Sequence, residues 1–133
     1  VINVLTPGSE GSTFGGYPLA SVVGTFAIKV LIEDKLALNA KNQGAYLISH
    51  LNSIMKDFPD KIKEVRGKGL LTAFEMHNEP NLDGHVVSVG LLNHGVYAKE
   101  THHTTVRIAP ALTINKNQID ALAGAIRTVV KDL

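Results

Sequence analysis

The spacing of apolar residues is the feature that most limits the folds open to this chain of 133 residues. Apolar side chains recur every three or four positions in four segments, which predicts helices over residues 18–33, 34–58, 82–94 and 115–133. Pairs of short apolar runs, typical of strands, separate the second, third and fourth helices. This order predicts an α/β (α+β) fold in which helices cover a small sheet.

The predicted strands are short, and polar or glycine-containing segments join them. One pair is expected over residues 62–65 and 70–76 with a tight connection at 66–69, and a second over 96–99 and 106–109 around the polar segment 100–104. A strand end is expected over residues 1–5.

The helices carry signals for their buried face and their ends. In the third helix Val86, Val89 and Leu92 are expected to point inward, with Gly95 ending the helix, and Asn115 is expected to cap the last helix. Asp34 is the expected cap of the second helix, and Gly44 within it is a mild helix defect.

Composition excludes several classes of function. The chain has no cysteine, which removes disulfides, thiolate zinc sites, cysteine nucleophiles and iron–sulfur clusters, and which fits a reducing compartment such as the cytoplasm. The balance of 13 basic and 12 acidic residues argues against a nucleic-acid-binding module. Since no apolar stretch reaches about 18 residues, we expect a soluble protein. The chain begins at Val1 without a methionine, so we expect part of a longer polypeptide.

The glycine-rich segment 8–16 is the first candidate site. Its sequence, GSEGSTFGG, precedes a predicted helix and carries the hydroxyls of Ser12 and Thr13. Backbone N–H groups, hydroxyl donors and a helix N-terminus together suit a phosphate. The segment lacks the Walker and dinucleotide-binding patterns, and a flexible surface loop is the alternative interpretation.

Arg107 is the second candidate, because its guanidinium lies within an apolar strand. The planar fork of arginine suits a substrate carboxylate. Side chains alternate along a strand, so Arg107 should point away from the face that holds Val106 and Ile108. The alternative is an arginine on the solvent side of an edge strand.

The histidines and lysines give weaker signals. His102 and His103 are adjacent and would face opposite ways in an extended chain, and the other histidines lie far apart, so no metal site is predicted. The lysines stand in polar or helix-surface settings, where solvated side chains are expected rather than Schiff-base nucleophiles.

Three segments carry a family resemblance. Residues 11–20 (GSTFGGYPLA), 65–71 (VRGKGLL) and 106–112 (VRIAPAL), in this order and spacing, resemble the C-terminal part of the class-III pyridoxal-phosphate-dependent aminotransferases. Within that family the chain is most similar to members that transfer an amino group from ornithine to 2-oxoglutarate. Tyr17 stands where the family usually has asparagine, and Ala111 where it usually has a second proline.

The resemblance implies roles for particular residues. Ser12 and Thr13 would bind the phosphate of the pyridoxal phosphate held by the neighbouring subunit of a homodimer. Arg107 would bind a substrate carboxylate and would pair with a glutamate while ornithine is bound. The 65–71 segment would be a structural turn without a catalytic role. The Schiff-base lysine, that glutamate and the ring contacts would lie upstream, so this chain alone would hold no catalytic residue and no activity.

The resemblance also implies a domain organisation. Residues 1–17 would end the large cofactor-binding domain, residues 18–33 would form a linker helix, and residues 34–133 would form the small C-terminal domain of the fold-type-I enzymes. Acetylornithine and 4-aminobutyrate remain open as amino donors. A stand-alone domain that binds an anionic effector, or one that serves only for dimerisation, is the alternative outside the family.

Overall fold

The computed structural model describes residues 6, 8–80 and 82–133, and the chain divides into two compact units, Val1–Lys35 and Leu36–Leu133. The strand end predicted over residues 1–5 lies outside the described residues. The first unit contains helix α1 (Pro18–Glu33), which begins at a proline as predicted. Asp34 is the C-cap of α1, and its N–H donates to the carbonyl of Val30, so its prediction as the cap of the next helix is wrong.

The second unit is an antiparallel sheet covered by helices. Its described part holds α2 (Leu36–Asp57), β1 (Ile62–Lys68), β2 (Leu71–Met76), α3 (Gly84–Asn93), β3 (Lys99–Thr101), β4 (Thr105–Ile108) and α4 (Lys116–Asp132). The strand order is β1-β2-β4-β3, and each neighbouring pair is antiparallel. The predicted order of elements and the α/β (α+β) class are confirmed.

The core lies between one face of the sheet and helices α2, α3 and α4. Its fully buried side chains come from every one of these layers: Leu47, Leu51, Ile54, Phe74, Met76, Val87, Leu91, Val106, Ile119, Ile126 and Val130. Asn115 caps α4 as predicted, because its side chain accepts from the N–H of Gln118 while the Gln118 side chain accepts from the N–H of Asn115. The opposite face of the sheet bears the exposed side chains of Arg66 and Arg107.

The first hairpin differs from its prediction. β1 continues to Lys68, which pairs with Leu71, so Gly69 and Leu70 alone form the turn and the predicted connection over 66–69 is wrong. Gly69 has a φ of +58°, which suits glycine in a two-residue turn. Gly67 belongs to the strand, where an added Cβ would lie 2.6 Å from the carbonyl oxygen of Leu71. Arg66, Gly67 and Lys68 concealed the end of the strand because they interrupt its apolar pattern.

Helix α3 buries a different face from the one predicted. Val87, Ser88 and Leu91 are buried, whereas Val86, Val89 and Leu92 are exposed, so the prediction that these three point inward is wrong. The helix has apolar residues of its own on all sides, so the spacing of these residues does not indicate which face is buried. Gly95, with a φ of +75°, follows the C-cap residue His94 and ends the helix as expected.

The second hairpin lies further into the polar segment than predicted. β3 begins at Lys99 and β4 at Thr105, so the strand expected over 96–99 overlaps the true one only at its last residue. Backbone pairing between Thr101 and Thr105 leaves a three-residue loop between the strands. Polar residues 99–105 form this hairpin because its outer side chains face away from the core.

Candidate functional site

Arg107 lies on the face of the sheet opposite the core. Val106 and Ile108 are 0% and 3% exposed, and Arg107 between them is exposed, as the alternation of a strand predicts. The alternative of a solvent-facing arginine on an edge strand is therefore right about the exposure of Arg107 and wrong about the edge, because β4 lies between β2 and β3. An interior strand fixes the direction of the arginine more firmly than an edge would.

The strand register places small and charged residues in one row across this face. Ala73 of β2 pairs with Arg66 on one side and with Arg107 on the other, and Lys99 of β3 pairs with Arg107. Because alanine is short, the row has a gap between its two guanidinium-bearing residues. A cavity of about 380 Å³ opens there, and its walls include Arg66, Ala73, Thr101, His102, Thr105 and Arg107.

Arg66 is neutralised by acidic neighbours. Its Nη1 donates to Oε2 of Glu75 at 2.8 Å and lies 3.3 Å from Oε2 of Glu64, and its Nη2 lies 3.4 Å from Oγ1 of Thr105. Lys63 donates to the other Glu75 oxygen at 2.9 Å. The hydrogen bonds from Lys63 and Arg66 lower the pKa of Glu75, and the bond to Glu75 raises the pKa of Arg66. This cluster therefore contributes fixed, internally compensated charge.

Arg107 has no such compensation. Within residues 6, 8–80 and 82–133 no hydrogen bond or ion pair engages its guanidinium. An exposed guanidinium beside a cavity can bind a carboxylate through two parallel charge-assisted hydrogen bonds. The face therefore presents one available guanidinium next to one that is already paired.

The predicted phosphate-binding residues lie in the first unit. Ser12 and Thr13 are exposed in the turn-rich segment before α1, where the N–H of Gly15 donates to the carbonyl of Ser12 at 3.1 Å. In the described part of the chain no hydrogen bond engages either hydroxyl. Among the residues that the structure describes, no side chain caps the N-terminus of α1. The segment thus offers free hydroxyl and N–H donors of the kind that a phosphate requires.

Sequence reasoning predicted only Arg107 among the residues of the cavity, and missed Arg66, His102 and Thr105 among others. Thr105 stands two positions before Arg107, and this spacing alone places both on one face of a strand. Arg66 and His102 carry no comparable signal, because only the pairing of β1 with β2 and the shape of the second hairpin bring them to the cavity. The segment that was expected to be a structural turn therefore supplies a wall of the candidate site.

Two features are absent from the described ranges. These ranges hold no group of three or more histidine, cysteine, aspartate or glutamate residues that could bind a metal ion. No helix among them is long and apolar enough to cross a membrane.

Solved structures that resemble this fold include aminotransferases. The ornithine aminotransferase of Plasmodium yoelii superposes with a TM-score of 0.88 at 36% identity, over 99% of this chain and 34% of that one. The acetylornithine aminotransferase of Elizabethkingia anophelis gives a TM-score of 0.86 at 32% identity, over 100% of this chain and 33% of that one. The fold is thus that of one part of an aminotransferase.

Sequence comparison defines the family. The model of the class-III aminotransferases matches residues 1–130, and this chain belongs to that family. The chain is 40% identical over 129 residues to the mitochondrial ornithine aminotransferase of Arabidopsis thaliana, covering 96% of this chain and 27% of that protein. It is 43% identical over 129 residues to the ornithine aminotransferase of Staphylococcus carnosus, covering 97% of this chain and 31% of that protein. The chain therefore spans 27–31% of the length of these relatives, and the predicted family resemblance is confirmed.

Proposed function

We propose that this chain is the C-terminal part of an ornithine aminotransferase, which converts ornithine and 2-oxoglutarate into glutamate 5-semialdehyde and glutamate. Similarity to proteins of that name over 96% or more of the chain supports this substrate pair. The alternative within the family is an acetylornithine aminotransferase, which the likeness to the Elizabethkingia anophelis enzyme favours.

The observation that carries the proposal is the uncompensated guanidinium of Arg107. A substrate of this reaction has at least one carboxylate, and a bidentate pair with arginine fixes both its position and its orientation. Glu75 keeps Arg66 engaged at 2.8 Å, so a carboxylate that enters the cavity meets Arg107 as its free partner. Arg107 thus binds and orients the acid.

Pyridoxal 5'-phosphate is the cofactor of the proposed enzyme, and it supplies the electron sink for carbanion chemistry. Ser12 and Thr13 fit its phosphate because both hydroxyls are exposed and, within the described residues, unengaged, and because α1 begins at Pro18, with four residues between it and Thr13. In the homodimer that we propose, these two residues bind the phosphate of the neighbouring subunit. No catalytic residue is assigned to this chain, and it is inactive by itself.

The same proposal assigns the segments of the chain and the location of the enzyme. Residues 1–17 end the large domain, residues 18–33 form a linker helix, and residues 34–133 form the small C-terminal domain. The enzyme acts in the cytoplasm on amino-acid and 2-oxo-acid substrates.

A donor screen of the full-length enzyme tests the proposed function. The purified enzyme is loaded with pyridoxal phosphate and supplied with 2-oxoglutarate and with ornithine, acetylornithine or 4-aminobutyrate in separate reactions, and glutamate is quantified. We expect the highest kcat/KM with ornithine. Faster transfer from acetylornithine would show that acetylornithine, and not ornithine, is the amino donor. Failure to form glutamate from every donor, with no cofactor bound, would favour the stand-alone effector-binding domain instead.

A further inference from the structure

The polar groups that line the Arg107 cavity differ in whether another residue already binds them. The hydroxyl of Thr72 donates to the carbonyl of Ile108 at 3.0 Å, and Arg66 is bound by Glu75 and lies against the hydroxyl of Thr105. Among the described residues, the side chains of Thr101, His102 and Arg107 enter no hydrogen bond. His102 is the one of these neighbours of Arg107 that carries a ring N–H donor.

The backbone holds His102 in an unfavourable conformation. Its φ is +54° and that of His103 is +64°, in the left-handed region that residues with a Cβ seldom adopt. Two contacts with neighbouring elements fix the loop: the N–H of Gly84 donates to the carbonyl of His103 at 2.7 Å, and the N–H of Met76 donates to that of Thr104 at 2.8 Å. Such strain persists where the surroundings impose it, and it concentrates at functional sites.

The two strained histidines have different surroundings. His102 lines the cavity that contains Arg107, whereas His103 lines a separate one beside Asp83. The Arg107 cavity, at about 380 Å³, lies within the range of small-molecule sites, roughly 300–1,000 Å³. An acid bound by Arg107 therefore lies in the same open cavity as the imidazole of His102.

We propose that His102 is a second substrate-binding residue, whose ring N–H donates a hydrogen bond to the carboxylate that Arg107 binds. The inference rests on the proposed function, because it takes the Arg107 cavity as the site of the 2-oxo acid. A neutral imidazole donates one such bond, so the role does not require a protonated ring. Arg107 supplies the charge, and His102 restricts the orientation of the carboxylate.

The test compares His102→Gly with His103→Gly in the full-length enzyme. Both positions have positive φ, so glycine relieves strain at each and both variants are expected to fold. Each variant removes one exposed imidazole, but only His102→Gly removes it from the Arg107 cavity. His102→Asn is a third variant, because asparagine tolerates the left-handed conformation and keeps a donor.

We expect His102→Gly to raise the KM for 2-oxoglutarate about tenfold, the loss typical of one hydrogen bond to a charged group, with kcat unchanged. His103→Gly should leave both constants unchanged, and His102→Asn should recover part of the affinity. The ornithine half-reaction, followed by single-turnover absorbance, should be unaffected in all three variants.

Arg107→Ala, measured in parallel, separates the two proposals. If Arg107→Ala weakens 2-oxoglutarate binding and His102→Gly does not, the role of His102 is rejected and the proposed function stands. Equal effects in the His102 and His103 variants would likewise assign the loss to the hairpin and reject the role. If neither Arg107→Ala nor His102→Gly changes the reaction, the cavity is not the acid site and both proposals fail.

Discussion

Among the glycines of the described residues, Gly44 of α2 is the position where an added Cβ would come closest to another atom, so we expect a substitution there to destabilise the fold. A Cβ built there lies 2.1 Å from the carbonyl oxygen of Gly69, 2.2 Å from its carbonyl carbon and 2.6 Å from its Cα. All three atoms are backbone, so no side-chain rotation can relieve the contact. Ordinary contact begins at 3.4 Å, and the helix and the β1–β2 turn would have to separate by the difference of about 1.3 Å.

The size of the effect follows from two opposing terms. Overpacking of this kind costs about 1–3 kcal/mol, and a backbone-only collision belongs at the upper end. Alanine recovers about 1 kcal/mol of helix propensity. We therefore expect Gly44→Ala to lower the free energy of unfolding by about 2 kcal/mol. The sequence alone indicates only a helix defect at Gly44, which would give the opposite sign.

Gly124 of α4 supplies the matched control. It is also a helix-interior glycine, but an added Cβ meets no atom within 4 Å. Gly124→Ala should raise the free energy of unfolding by up to about 1 kcal/mol. Urea denaturation of the wild-type chain and both variants, followed by circular dichroism, measures the difference. If Gly44→Ala proves as stable as Gly124→Ala, the close approach of α2 to the Gly69 turn is refuted.

Three further outcomes are expected. Asn115→Ala removes the capping box and should cost about 1 kcal/mol in the same urea assay, whereas an unchanged midpoint would show that the cap is dispensable. The lowered pKa of Glu75 means that its ionised form stabilises the fold above the unfolded-state pKa, and that this contribution disappears as the pH falls through the folded-state pKa. Glu75→Gln should therefore flatten the acid limb of stability below about pH 4–5, and an unaltered acid limb would exclude the Lys63–Glu75–Arg66 cluster as its source. Titration of the isolated chain with pyridoxal phosphate should give no saturable imine absorbance band, and the appearance of one would contradict the absence of the Schiff-base lysine.

The elements that could be predicted from the sequence are those fixed by local chemistry. Pro18 sets the start of α1, and Asn115 with Gln118 sets the start of α4. The alternation of Val106, Arg107 and Ile108 gives the direction of the guanidinium before any partner strand is known. Each of these features depends on neighbours within a few residues.

The features that escaped prediction depend on pairing between distant segments. Arg66 reaches the cavity because β1 pairs with β2 and β2 with β4, a register that no local pattern specifies. The buried face of α3 depends on which elements pack against a helix that is apolar on all sides. The requirement for glycine at position 44 arises from Gly69, which is 25 residues away in the sequence.

The most direct test of Arg107 as the carboxylate-binding residue compares the two half-reactions of the full-length enzyme. Stopped-flow absorbance follows each half-reaction separately in the wild type, in Arg107→Ala and in Arg107→Lys. Under the proposal, Arg107→Ala weakens the 2-oxoglutarate half-reaction by about 2–5 kcal/mol in kcat/KM, the range for removing one partner of a hydrogen-bonded charge pair that becomes buried when the acid binds in the full-length enzyme. The ornithine half-reaction changes much less, and lysine restores only part of the loss because it lacks the planar fork. Equal losses in both half-reactions, or none in either, would contradict the assignment of Arg107.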